Sequence, residues 1–355
     1  MSKRVHYIDN LRWLTVSILI LYHAAIAYNT WDEANYIFFD PVRPLAAIVS
    51  FSSPWFMPLM FLLAGASARY SLQKRSSGEF VKERFLRLGI PFVFGVLLIA
   101  PMLSYVADVT HNDYSGGYFE HYGVFFSRFT DLTGYDGGFT LAHFWFLGVL
   151  IVVSLLGCVV IKLIGTVESG SKKAAFAGLA LAVPAVALFD VSWFGKRIPT
   201  YLFVYLLGYY FVSDRDFVQK LCKSKLLFVL LFVVSCTANT VIFIFVGGHE
   251  TLNNICNYAA FAFALPALVT IAHDHLDFSN RFTSFNSKIS YIFYITHFPI
   301  VIFCQYILSL AGMGIIANLV ITLIISYPLT CALCFLIEKT KYLRVLFGSK
   351  AQKRG

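Results

Sequence analysis

One feature limits what this chain can fold into more than any other. Runs of predominantly apolar residues, each long enough to cross a bilayer, recur from near the first residue to near the last. A spanning helix needs about 20 such residues, and by run length there are about ten of them. They lie at roughly 12–29, 45–70, 86–107, 141–164, 174–190, 199–213, 226–246, 255–273, 289–310 and 315–337. No hydrophilic stretch between them is long enough for a second folded domain. The sequence therefore predicts an all-α, polytopic transmembrane helix bundle formed by a single integral-membrane domain over 1–355. Composition agrees, because only 13% of residues are charged, against about 25% in a soluble domain.

Charge sets the expected orientation. With the N-terminus inside, the inner segments hold Lys3, Arg4, Arg69, Lys74, Arg75, Lys82, Arg84, Arg87, Lys172, Lys173, Lys220, Lys223, Lys225, Arg281, Lys288 and a C-terminal basic cluster. The outer loops hold only Arg43, Arg128, Lys196 and Arg197, and they are acidic instead, with Asp32, Asp40, Asp108, Asp113, Glu120 and Asp136 among others. The positive-inside rule then predicts both termini in the cytoplasm. The same bias accounts for the net charge of +9 without nucleic acid, since basic residues at membrane edges are attracted by anionic lipid. The first apolar run lacks a small-residue cleavage site and reads as a retained signal anchor. The longest connection, about 108–140, is expected to carry structure of its own, with Tyr118–Phe129 as a short interfacial helix. The cysteines lie in or at the ends of apolar helices. Even Cys331 and Cys334, at C-x-x-C spacing, read as small packing residues rather than metal or redox groups.

An ionisable side chain inside a membrane helix is costly, so it is a functional hypothesis by default. Arg12 and His23 are eleven positions apart on the first helix. At about 100° per residue they share one stripe, about 16 Å apart along the axis. Asp9, three residues before Arg12, can pair with it. The same spacing also fits a snorkelling arginine and a structural histidine. His297 is a second intramembrane imidazole, beside Pro299, which frees a backbone carbonyl. Tyr291, Tyr294 and His297 recur every three residues and share a face, as packing aromatics also would. Arg84 and Arg87, with Lys82, open the third apolar run, and guanidinium forks match phosphate oxygens well. Ordinary positive-inside charge would look the same.

These pieces, taken in order, resemble a known family. Tyr7-Ile-Asp-Asn-Leu-Arg12 followed by His23 is similar to the R-x10-H signature of the acyltransferase 3 family, bacterial integral-membrane O-acyltransferases with about ten helices. Trp55-Phe-Met-Pro-Leu-Met-Phe-Leu-Leu-Ala-Gly65 resembles its second-helix segment. Arg84-x-x-Arg87 with Ile90-Pro91 resembles its R-x-x-R…I-P motif. His143-Phe-Trp145-Phe-Leu147 resembles its H-x-W-F-L element, and Ser290-Tyr291 through His297-Phe-Pro299 its late S-Y-x-x-Y-x-x-H-x-P stretch. The chain departs at Leu150, where many sugar-modifying members carry a Glu, and it has no fused esterase-like domain. The pattern is nearer to stand-alone members similar to the osmoregulated-glucan succinyltransferase.

The resemblance and the charge map together imply a membrane enzyme of the bacterial cytoplasmic membrane that transfers acyl groups other than amino-acyl groups. Acyl-CoA would be its co-substrate, with no permanently bound cofactor and no metal, and its acceptor would be a carbohydrate or glycolipid hydroxyl. Acyl-CoA phosphates would dock at Lys82, Arg84 and Arg87. His23 would act as general base, or carry the acyl group transiently, while Arg12, oriented by Asp9, would sit near the docked phosphates at the cytoplasmic end of the same stripe. His297, Tyr294, Trp145, Trp55 and His143 would contact substrate, although the tryptophans equally suit an interfacial belt. A transporter or flippase would also use a buried Arg–His stripe and Pro-interrupted helices. Against it, the helix pattern has no two-halves symmetry and no paired intramembrane carboxylates.

Overall fold

The structure is a computed structural model that describes residues 5–33, 35–129, 132, 136–165 and 195–349. Its helices are α1 His6–Ile26, α2 Arg43–Ser52, α3 Phe56–Leu72, α4 Ser77–His111, α5 Tyr118–Ser127, α6 Ala142–Ile164, α7 Ile198–Val212, α8 Arg215–Val246, α9 Glu250–His275, α10 Arg281–Leu310, α11 Ile315–Lys339 and α12 Lys341–Leu346. Among the described residues the regular elements are all helical. Among the described residues, seven helices are long and apolar enough to cross a membrane: α2 with α3, α4, α6, α8, α9, α10 and α11. The protein is thus a multi-pass helical membrane protein. α1 has 21 residues but is not one of the seven, because Asp9, Arg12 and His23 dilute its apolar run. α7 is apolar but short. The run expected at 174–190 lies outside the described residues. The run expected at 45–70 is interrupted where Pro54 and Trp55 separate α2 from α3, since proline supplies no N–H to continue the ladder.

The chain divides into two compact units. One comprises Met1–Thr15, Ser50–Arg84 and Val149–Ser287. Its centre is a close crossing of α3 and α7. A methyl group added at Gly65 would lie 1.9 Å from the Tyr205 carbonyl oxygen, and one at Gly208 would lie 1.9 Å from that of Leu62. Only glycine lets two membrane helices approach this far, so that backbone packing replaces the missing hydrophobic drive. α8 and α9 form a hairpin across Gly247 and Gly248, both at positive φ, where glycine carries no steric cost. The outer face of α8 shows Leu226, Leu230 and Val234, apolar side chains suited to lipid rather than water. The start of α1 is capped at long range. The Asp277 carboxylate accepts the His6 and Tyr7 backbone N–H groups at 3.0 and 3.3 Å and is itself held by Arg215, an anion at the positive end of the helix.

The other unit comprises Val16–Val49, Phe85–Gly148 and Lys288–Gly355. Here the described residues of the 108–140 connection carry structure of their own. Its short helix, α5, matches the expected interfacial segment within two residues. Asp108 is fully buried, and its carboxylate accepts from His121 Nε2 at 2.6 Å, Asn112 Nδ2 at 2.9 Å, the Gly138 N–H at 3.0 Å and the Arg128 guanidinium. A buried carboxylate must be satisfied this fully to be tolerated. The knot delivers Thr140, whose hydroxyl meets Tyr36 Oη at 3.1 Å and accepts the Ala142 N–H at 2.9 Å. Ala142, at φ +46°, then turns the chain into His143.

Candidate active site

The site grows out of two prolines, each of which leaves a backbone carbonyl without its helical donor. Pro299 sits inside α10, so the carbonyl of Ile295, four residues earlier, has no N–H to accept. His143 supplies one: its Nε2 lies 3.0 Å from the Ile295 oxygen. Pro91 does the same to the carbonyl of Arg87 in α4, and the Tyr291 hydroxyl donates there at 2.7 Å. In return, the Tyr294 hydroxyl donates to the His143 backbone carbonyl. Three sequence motifs, around Arg87-Pro91, His143 and Tyr291-Pro299, are therefore stitched together through freed carbonyls.

This stitching fixes two imidazoles in definite tautomers. His143 uses Nε2 as donor, so its Nδ1 keeps a lone pair, and that atom is buried with no hydrogen-bond partner. His297 bends back on its own helix. Its Nδ1 donates to the Tyr294 and Phe293 carbonyls at 2.7 and 3.1 Å, which leaves Nε2 as a buried acceptor, again unpartnered. Such orphaned acceptors cost free energy and are rare in a native interior.

His23 completes the group. Its ring stacks on Phe298 at 3.9 Å between centroids and lies 5.3 Å from His297, which lies 5.6 Å from His143. His23 is 8% exposed, whereas His297 is fully enclosed. Phe298 also meets His143 and Tyr36 edge-on. Three neutral-capable imidazoles thus surround one aromatic ring in an otherwise apolar setting. Among the described residues, the only group of three His, Cys, Asp or Glu side chains with ligand atoms mutually within 4.8 Å is elsewhere. The arrangement suits proton acceptance from a hydroxyl.

The remaining sequence-derived residues fall as follows. Asp9 and Arg12 do pair, at 3.1 Å, and Arg12 Nη2 also donates to Ser67 Oγ at 2.5 Å. Ser67 was not among the residues singled out from sequence, because nothing in α1 points to α3. Arg84 packs its guanidinium over Phe80, 4.7 Å from the ring centroid. Arg87 Nε donates to the Gly348 carbonyl at 3.4 Å, and Lys82 is exposed. A π-helical turn, Phe85–Gly89, separates Arg84 from Arg87 in phase, so the R-x-x-R spacing does not have the regular helical geometry that the sequence suggests. Trp55 belongs to the first unit, where its Nε1 donates to the Phe51 carbonyl at 2.9 Å and its ring meets Phe232 edge-on. Trp145 opens the long helical part of α6 with its ring edge-on to Phe146. The ring contacts described for both tryptophans are packing contacts. Phe298, Tyr36 and Thr140 escaped the sequence reading. Phe298 stood between two motif residues and carried no polar signal of its own.

Comparison with known proteins agrees with the motif reading. The acyltransferase 3 family model, described as an acyltransferase domain, matches residues 5–339, nearly the whole chain and both units. No curated protein and no solved structure matches the chain.

Proposed function

The chain belongs to the acyltransferase 3 family, and on that premise we propose that it is a membrane-embedded O-acyltransferase using cytoplasmic acyl-CoA. The acyl group is of the acetyl or succinyl class, and the acceptor is a hydroxyl of a cell-surface or periplasmic glycan or glycolipid. The enzyme works in the bacterial cytoplasmic membrane with both termini inside, in keeping with the distribution of Lys and Arg along the sequence.

The observation that carries this reading is the trio His23, His143 and His297, with two buried imidazole nitrogens left free to accept. In the reaction, His23 takes the proton of the acceptor hydroxyl. The oxygen attacks the thioester carbonyl, the carbon–sulfur bond breaks, and the departing thiolate recovers the proton from the imidazolium. Nε2 of His297, held in a fixed tautomer, accepts a hydrogen bond and orients the incoming group. Lys82, Arg84 and Arg87 hold the donor's phosphates, a task for which charge and forked geometry suffice. Asp9 and Ser67 keep Arg12 in place.

The test is transfer by the purified protein in detergent, with acyl-CoA and glycan acceptors, read by mass spectrometry as an acyl mass increment. His23→Gln keeps the size of the side chain and its hydrogen bonding but not its basicity, and it should lower turnover by about 10²–10⁴-fold. Near-full activity in His23→Gln, with loss in His297→Gln, would move the base to His297. An intact donor in every reaction would point to a carrier instead.

A further inference from the structure

We propose that Cys222, His273 and Asp274 form a binding site for one zinc-class divalent cation, separate from the histidine trio and unconnected with acyl transfer. The three residues come from two elements of one unit, the 3-10 turn Cys222–Ser224 and the last turn of α9. Their ligand atoms all lie within 4.8 Å of one another.

The geometry separates this cluster from a catalytic relay. In a Cys–His–acid relay the thiol and the carboxylate engage opposite nitrogens of the imidazole. Here both converge on the same nitrogen. Cys222 Sγ lies 3.6 Å from His273 Nδ1, and Asp274 Oδ1 lies 3.0 Å from that same Nδ1. Tetrahedral zinc with Zn–S of about 2.3 Å and Zn–N of about 2.0–2.1 Å has an S···N edge of about 3.6 Å. Its N···O edge comes to about 3.3 Å by the same arithmetic. Two of the three edges are therefore within a few tenths of an ångström of those around a common ion, and the third, between Sγ and the carboxylate, is no longer than 4.8 Å.

The chemistry fits as well. A thiolate, a carboxylate and a neutral imidazole bring two negative charges to a dication, and the N/O/S mixture suits zinc rather than magnesium or calcium. Cys222 releases its proton on binding. The second carboxylate oxygen of Asp274 accepts from Lys225 Nζ, which leaves Oδ1 for the ion and orients it, as outer-shell partners of metal ligands do. The three side chains are half-buried to exposed, so an ion can enter from solvent, and water fills the fourth position. Sequence spacing hid the group, because Cys222 and His273 are 51 residues apart.

The experiment uses the full chain in detergent after chelator treatment, titrated with Co²⁺. One equivalent should bind with a thiolate-to-cobalt charge-transfer band in the near ultraviolet and the visible bands of four-coordinate cobalt, and Zn²⁺ should displace it. Cys222→Ser should remove the charge-transfer band. His273→Gln should weaken binding more than about tenfold, since even outer-shell losses cost 10–100-fold. Lys225→Met should keep the band. In unsubstituted protein, Zn²⁺ should shield Cys222 from alkylation and leave the other cysteines unprotected, a readout that needs no variant to fold. Absence of the band at stoichiometric Co²⁺, its survival in Cys222→Ser, or equal alkylation of Cys222 with and without Zn²⁺ would each overturn the site and leave a hydrogen-bonded cluster.

Discussion

The bond from His143 to the carbonyl of Ile295 can be weighed by a double-mutant cycle with Pro299. In the native protein that carbonyl is buried within α10, its helical donor is missing because residue 299 is proline, and His143 Nε2 fills it at 3.0 Å. His143→Leu removes the donor and leaves the oxygen unsatisfied, at a cost of about 1–3 kcal/mol. Pro299→Ala restores an N–H four residues after Ile295, so the helix can satisfy its own carbonyl. Proline is about 3 kcal/mol worse than alanine in a helix interior, so this second change should be neutral or stabilising once lost packing is subtracted. In the Pro299→Ala background His143→Leu no longer orphans the oxygen, and its cost should fall by about 1–2 kcal/mol. Reversible unfolding in mixed micelles, followed by tryptophan fluorescence, measures the four corners. A coupling energy below about 0.5 kcal/mol, the usual scatter for independent sites, would refute the idea that His143 answers for the proline.

Other outcomes follow from the same contacts. Arg84→Ala or Arg87→Ala should raise the acyl-CoA concentration needed for half-maximal rate while changing turnover little, because binding remote from the reacting carbonyl contributes affinity rather than chemistry; initial-rate kinetics at low and high salt decide it, and an unchanged donor dependence would leave both as topology signals. Gly208→Ala should destabilise the protein by about 1–3 kcal/mol or more, since its methyl group would meet the Leu62 carbonyl oxygen at 1.9 Å; melting in detergent checks this, and a native-like melt would contradict the close crossing. Cysteine-accessibility labelling should find Ser115→Cys outside and Ser349→Cys inside, as the charge bias requires; labelling of Ser115→Cys from the cytoplasm alone would invert the map.

Much of the architecture was legible in the sequence because lipid leaves the backbone few options. A long apolar run must satisfy its own hydrogen bonds, so it becomes a helix, and run lengths located the seven spanning helices found among the described residues, although α4, α8 and α10 begin well before their apolar runs. Sequence order also singled out His23, His143, His297 and Tyr294, which the fold brings together, and helical spacing alone foretold the Asp9–Arg12 pair. It could not foretell that a π-turn would shift the phase of Arg84 and Arg87, because a one-residue change of hydrogen-bond register leaves no mark in an apolar stretch. Nor could it see that Arg12 rests on Ser67, that Phe298 floors the imidazoles, or that Cys222 meets His273. Those contacts join residues far apart in the chain, and only packing brings them together. The prolines mark the boundary between the two kinds of knowledge. Sequence alone determined that Pro91 and Pro299 each free a carbonyl, because proline has no N–H wherever it sits. Only the tertiary structure decided that Tyr291 and His143 fill them, because a donor for an orphaned carbonyl comes from whichever element the fold packs against it.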